Sequence, residues 1–261
     1  MPPKTIIPAL LETAYENISG KLNDLFSSGV LCDTVQIDVC DGKYVKGMTW
    51  PYTLGRGIAV EPEKEPHFAA LLNESAGLPF WEDVNYEIDL MTSRPDRDIE
   101  LWVRAGASRV IIHSHALNSL PENERADALM IIEKERPMIT LGVAVGSHEA
   151  IDTPHVAELL QMADFIQCMG IERVGAQGQG FDSRVFEQIE QIKSHYPEKP
   201  LSVDGGVHFE NADALFEAGA DALVVGSAIF KNEDPRGALR DFLEIAHGED
   251  VAGDDEGDEN E

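Results

Sequence analysis

The stretch Leu201–Phe230 reads LSVDGGVHFENADALFEAGADALVVGSAIF. A short apolar run, Leu201–Asp204, ends in the pair Gly205-Gly206. A segment with apolar residues at helical spacing, Asn211–Ala218, follows and stops at Gly219, a residue that ends helices because it tolerates a left-handed backbone. A second apolar run, Ala222–Gly226, completes the unit. Strand, helix, strand in that order implies parallel strands joined by a right-handed crossover.

The same alternation extends back through the chain. Further apolar runs lie at Thr5–Leu10, Thr34–Cys40, Asn85–Met91, Arg109–His113, Met138–Val145 and Asp164–Met169, making eight in all. Helical patterns fill the gaps at Glu12–Phe26, Arg97–Ala105, Ala126–Glu135, Pro154–Met162 and Ser183–His195, and Arg236–Ala246 follows the last run. The starts are mostly 21 to 37 residues apart, which suits one strand, one helix and two loops. The expected class is α/β, and eight units close a (β/α)8 TIM barrel; an open doubly wound sheet is the alternative. The count of eight and the chain length favour closure, with one barrel domain over residues 1–247. One interval is longer, 51 residues between the second and third runs. The insertion, Lys43–Val84, carries a helix-like His67–Ser75. It is expected over the C-terminal ends of the strands, as a lid or as surface elaboration.

The 261 residues include 48 Asp and Glu against 20 Lys and Arg, for a formal charge of −28, and 43% are hydrophobic. That excludes a disordered or collagen-like chain. Cys32, Cys40 and Cys168 cannot form a framework of disulfide pairs, so a reducing compartment fits. Nucleic acid is an unsuitable partner, because phosphates need a basic face. No long apolar stretch reads as a membrane span and no signal peptide is recognised, so the expectation is cytoplasmic. The final segment, Gly248–Glu261, has eight acidic residues and no basic one, and is expected to be a disordered tail that aids solubility.

In a barrel the chemistry sits where the strands end. Gln36 and Asp38 share one face of the second run, and Glu87 and Asp89 share one face of the third. A carboxylate inside an apolar run is costly unless it has work or a partner. Asp38, Asp89 and Asp204 are therefore expected to converge in one pocket, although a capping role would explain Asp204 before its glycines. Gly205-Gly206 and Gly226-Ser227 end the last two runs and form a phosphate cradle, since glycine lets backbone N–H groups approach an anion. The alternative is plain turn chemistry. A glycine-rich stretch after the sixth run, with Gly178 and Gly180, is expected to close over a bound phosphate or to remain a loop without contact.

These residues resemble the ribulose-phosphate 3-epimerase family. The resemblance covers Ile7 to Phe230 and is carried by Gln36-Ile-Asp-Val-Cys-Asp-Gly42, Asp89-Leu-Met91, the loop from Met169, Val203-Asp-Gly-Gly206 and Gly226-Ser-Ala-Ile-Phe230. It implies an epimerase or isomerase of a phosphorylated ketose, in which two aspartates, here Asp38 and Asp204, move protons on opposite faces through an enediolate. It implies a divalent metal held by two histidines and those aspartates; the histidine positions fall on Gln36 and Asp89. An oxygen set of Gln36, Asp38, Asp89 and Asp204 suits Mg2+ or Mn2+ over Zn2+. Without a cation, one carboxyl should be protonated or the chemistry lost. The implied partner is a small-molecule sugar phosphate, and a homo-oligomer stays open.

The competing reading is a non-catalytic sugar-phosphate-binding paralogue that has lost the metal site. A decarboxylase or aldolase of the same superfamily ranks lower, because Glu87-Ile-Asp89-Leu-Met91 lacks the lysine those use. A metal hydrolase built on His113-Ser-His115 also ranks lower, since strand 8 ends in Gly226-Ser227 rather than an aspartate. For His113 a polar, mouth-lining role is preferred to ligation. Cys40 and Cys168 read as buried thiols.

Overall fold

A computed structural model of the chain describes residues 3–172, 174–175 and 180–248. Residues 249–261 of the acidic tail and Gly178 lie outside this range. Eight parallel strands close into a barrel in chain order, with β1 hydrogen-bonded to both β2 and β8. They are β1 (Thr5–Leu10), β2 (Thr34–Cys40), β3 (Asn85–Met91), β4 (Arg109–His113), β5 (Thr140–Val145), β6 (Phe165–Met169), β7 (Leu201–Asp204) and β8 (Ala222–Val225). The closed sheet, not the doubly wound one, is therefore the fold. The fifth strand starts later than its apolar run, because Pro137 sits in a 3-10 turn over Arg136–Met138. The eighth stops at Val225, where Gly226 leaves extended backbone at φ −98, ψ −87.

The outer layer is α1 (Tyr15–Phe26), α2 (Pro66–Leu72), α3 (Pro95–Arg104), α4 (Ser114–Asn118), α5 (Glu122–Glu135), α6 (Pro154–Met162), α7 (Arg184–His195), α8 (Phe209–Ala218), α9 (Ser227–Phe230) and α10 (Pro235–His247). Gly219 takes φ +118 at the end of α8, the left-handed stop its sequence predicts. Asp234 caps α10 by accepting from the Gly237 N–H at 2.9 Å. Among the described residues, no helix is long and apolar enough to cross a membrane.

Alternation along the strands divides the core in two. Val35, Ile37, Val39, Ile88, Leu90 and their counterparts face outward into one large apolar cluster shared with the helices. Inside the barrel only small apolar clusters remain, such as Ile111, Ala144, Phe165 and Met169, or Ile7, Ala9 and Val224. The rest of the interior is polar and buried, including Gln36, Glu87, Asp89 and Gln167. Below the mouth, Arg109 Nε donates to Glu87 Oε2 at 2.7 Å, and the guanidinium carbon Cζ lies 4.2 Å from the Phe165 ring centre.

The insertion is anchored rather than loose. Trp50 is fully buried, edge-on to Phe68 and Trp102, and its indole N–H donates to Glu65 Oε2 at 2.6 Å. Glu65 also caps α2 by accepting from the Phe68 N–H at 2.7 Å. Burying a ring of this kind contributes on the order of 2–3 kcal/mol. Most of the insertion thus packs into the helical layer, while Tyr44, Val45 and Lys46 reach the barrel mouth.

Candidate active site

Parallel register sets Asp38 of β2 directly beside Asp89 of β3. Asp204 ends β7, three strands away around the closed ring from β2. All three carboxylates point inward, and one oxygen from each lies within 4.8 Å of the others. Among the described residues this is the only such group of three acidic, histidine or cysteine side chains. Asp38 is 7% exposed and Asp89 not at all.

Two buried amides tie the carboxylates together. Gln36 Nε2 donates to Asp38 Oδ1 at 2.8 Å and to Asp204 Oδ2 at 3.0 Å. Gln167 Nε2 lies 3.4 Å from the same Asp204 oxygen and 3.5 Å from Asp89 Oδ2. The His113 imidazole donates from Nε2 to Asp89 Oδ1 at 2.9 Å. The polar, mouth-lining role expected for His113 is thus a contact with Asp89.

Electrostatics follow from crowding negative charge in a dry place. Burial first, then the charges of Asp204 and Asp89, raise the Asp38 carboxyl well above the usual range. Burial and the Asp89 charge push Asp204 up to about 7. Burial pulls the His113 imidazole down, but the adjacent Asp89 carboxylate outweighs it and leaves the net value raised. Asp41, three residues after Asp38, behaves oppositely. It accepts from the Lys43, Tyr44 and Ser93 N–H groups at 2.8 to 2.9 Å and from the Ser93 hydroxyl at 2.7 Å. Burial opposes ionisation there, yet those bonds prevail and lower its pKa. Asp41 fastens the loop after β2; Asp38 faces the pocket. The buried thiols of Cys40 and Cys168 are raised by desolvation, which disfavours the nucleophilic thiolate.

A small cavity of about 50 Å3 joins this cluster to the glycines. Asp38, Asp204, Gly205, Gly206, Gly226 and Ser227 all line it. Gly205 and Gly206 take φ +98 and +68, and a Cβ on Gly206 would stand 2.9 Å from the Phe181 backbone. Only glycine fits that turn without strain. Gly180 is exposed and lines neither this cavity nor its larger neighbour of about 820 Å3. The larger space opens over β4, β5 and β6, and the two meet at Met169 and Gly175.

The donors suit a hard divalent cation. Three clustered carboxylates supply oxygen ligands, and Gln36 Oε1 is buried without a hydrogen-bond partner. A half-turn of that amide would bring a fourth oxygen toward the cluster. Sequence reasoning did not single out Gln167 as part of the site. Its signal was available, since an amide between Ile166 and Cys168 in an apolar run carries the same burial cost that drew attention to Asp38.

A closed ring of eight parallel strands, with buried carboxylates gathered at one end of the ring, defines a (β/α)8 barrel. The sequence profile of the ribulose-phosphate 3 epimerase family matches residues 73–230, and the chain belongs to that family. It is 26% identical over 244 residues to the ribulose-phosphate 3-epimerase of Bacillus subtilis, covering 91% of this chain and 97% of that one. It is 24% identical to the Schizosaccharomyces pombe ribulose-phosphate 3-epimerase, with 88% of each covered. Among solved structures, 3-hexulose-6-phosphate synthase from Salmonella typhimurium superposes with a TM-score of 0.60 at 14% identity, over 94% of this chain and 99% of that one. Orotidine 5'-monophosphate decarboxylase from Sulfolobus solfataricus gives 0.55 at 15% identity, over 94% and 99%. These last two likenesses concern the fold alone.

Proposed function

We propose that this chain epimerises a phosphorylated ketose, as its ribulose-phosphate 3-epimerase relatives are named for doing, with Asp38 and Asp204 as the two proton-transfer groups. The observation that carries this reading is the meeting of both carboxyls, bridged by Gln36, in the cavity walled by Gly205, Gly206, Gly226 and Ser227. The glycine N–H groups and Ser227 would hold the phosphate and fix the sugar's register. One aspartate would take the proton beside the carbonyl, forming an enediolate, and the other would return a proton to the opposite face. The raised values of Asp38 and Asp204 support this division, because one group must start protonated and the other ionised. Asp38, Asp89, Asp204 and Gln36 Oε1 would hold a divalent cation, with Mg2+ or Mn2+ preferred to Zn2+, which when bound would stabilise the enediolate oxygens.

The test is to incubate the protein with ribulose 5-phosphate in heavy water, with and without Mn2+. Deuterium is expected at the carbon beside the carbonyl, even where net epimerisation is slow. A second reading, a sugar-phosphate-binding paralogue without turnover, is favoured by one contact. The Gln36 amide donates into Asp38 and Asp204 where the family's histidine would offer a lone pair. Failure to exchange under any metal condition, with sugar-phosphate binding retained, would select that reading.

A further inference from the structure

The carbon chain of a ketose phosphate has a direction. With the phosphate at Gly206 and Gly226 and the reacting carbon, C3, between Asp38 and Asp204, the carbonyl carbon C2 and then C1 follow on the side away from the phosphate. Below them the barrel is filled by Gln36, Glu87 and Gln167, each fully buried. The adjoining space is the larger cavity, which meets the small one at Met169 and Gly175. Its volume of about 820 Å3 is within the range of whole ligand sites, whereas a simple pentulose brings only a hydroxymethyl group to it. Carbons added between the phosphate and the carbonyl stay on the phosphate side. C1 is therefore the position from which a substituent can enter.

The wall beside that entrance carries a fixed carboxylate. The Ser114 hydroxyl donates to Glu149 Oε1 at 2.7 Å, and the Gly146 N–H donates to Glu149 Oε2 at 3.0 Å. These bonds set the orientation of the carboxylate, which has further lone pairs for a charged donor. Burial, then the charges of Asp89 and Glu149, raise the Tyr44 phenol, so the field of Glu149 reaches the edge of the reaction centre. Tyr44, Val45 and Val174 add half-buried apolar surface, and the Tyr44 ring stands 5.5 Å from that of His113. A second phosphate on C1 would face Glu149 and Glu172, with Lys46 as the one lysine or arginine among the described lining residues. An ammonium suits the same wall, because a charged donor makes a strong hydrogen bond to a carboxylate. Nitrogen attached to C1 in place of the hydroxyl is basic and provides that ammonium.

We infer that the larger cavity receives a nitrogen-linked group on C1, so that the ligand is a 1-amino-1-deoxyketose 5-phosphate whose ammonium faces Glu149 and whose organic substituent lies against Tyr44, Val45 and Val174. The inference rests on the epimerase reading for the placement of the phosphate and C3. It is tested by calorimetric titration with inert polyol phosphates: ribitol 5-phosphate, its 1-O-benzyl ether, and 1-benzylamino-1-deoxyribitol 5-phosphate. The amine is expected to bind wild type about tenfold or more tighter than ribitol 5-phosphate, through apolar surface and charge together. The ether, which lacks the charge, should fall at least about threefold short of the amine. In Glu149→Gln, checked for an unchanged melting curve, amine and ether should bind alike while ribitol 5-phosphate stays within about twofold of wild type. The wild-type comparison decides by itself should that variant unfold. Equal binding of the amine and ribitol 5-phosphate, or an ether as tight as the amine, would overturn the inference. So would a Glu149→Gln protein that loses affinity for all three ligands to the same degree.

These ligands have no carbonyl to react, which separates the cavity from the reaction. Tighter binding of the amine, reduced to the level of the ether by Glu149→Gln, would sustain the cavity's role even if ribulose 5-phosphate took up no deuterium. Equal binding of the amine and ribitol 5-phosphate would remove it even if ribulose 5-phosphate turned over.

Discussion

Replacing Asp38 by Asn is expected to slow deuterium exchange into the ketose phosphate by on the order of 10^3, the usual worth of a positioned general acid or base. The amide has nearly the same shape, so the inward position beside Asp89 and the Gln36 contact should survive in outline. What disappears is an ionisable oxygen at the reacting carbon. Sugar-phosphate affinity should change by no more than about twofold, because the cradle is built from other strands and a group acting only in the transition state leaves ground-state binding alone. Gly206→Val should show the converse, with affinity lost because a side chain would press on the Phe181 backbone in a left-handed turn. Exchange in Asp38→Asn at the wild-type rate would refute its place as a proton-transfer group.

The second large effect concerns stability without metal. Burial and neighbouring charge hold Asp38 and Asp204 above the ordinary carboxylate range, Asp204 at about 7. An unfolded aspartate titrates near about 3.9. Between those values the folded protein binds more protons than the unfolded chain, so stability is full below the lower value and is lost as pH rises through the upper one. His113 acts in the same direction, since its raised imidazole also loses stabilising protonation as pH climbs. Metal-free protein should therefore melt at a lower temperature at pH 8 than at pH 5. The loss should be on the order of a few kcal/mol, because each tenfold gain in proton affinity on folding is worth about 1.4 kcal/mol. Excess Mn2+ or Mg2+ at pH 8 should reverse the loss, contributing about 2.7 kcal/mol at a hundredfold over Kd. Asp204→Asn should flatten both responses. Calorimetry across pH with and without the ions checks this; a metal-insensitive melting point at pH 8 would remove the cation from the proposed function.

The barrel was legible because each strand is a short apolar run and each helix a periodic one, with glycines such as Gly219 marking the stops. Convergence of Asp38, Asp89 and Asp204 was legible for another reason. Charges embedded in apolar runs must share a polar pocket, and alternation fixes which face they occupy. Gln167 escaped notice because an uncharged amide stands out less than a carboxylate, and its partners come from β3 and β7, far away in sequence. The larger cavity was not readable at all. It arises from how the loops after β2, β4, β5 and β6 lean together, and no local pattern encodes that geometry. Nor did the insertion's length reveal that Trp50, with Phe68 of α2, would pin it against Trp102 of α3.

The small cavity has no lysine or arginine among the described residues that line it. A dianion arriving there must climb the repulsion of a chain with formal charge −28 before it feels the short-range pull of peptide dipoles. Dissolved electrolyte lowers that hill, since the Debye length shrinks from about 8 Å at 0.15 M to about 3 Å at 1 M. Capture of the anion should therefore quicken as ionic strength increases, the reverse of the trend for a pocket ringed with cations. Such a receptor gains from brine where most lose.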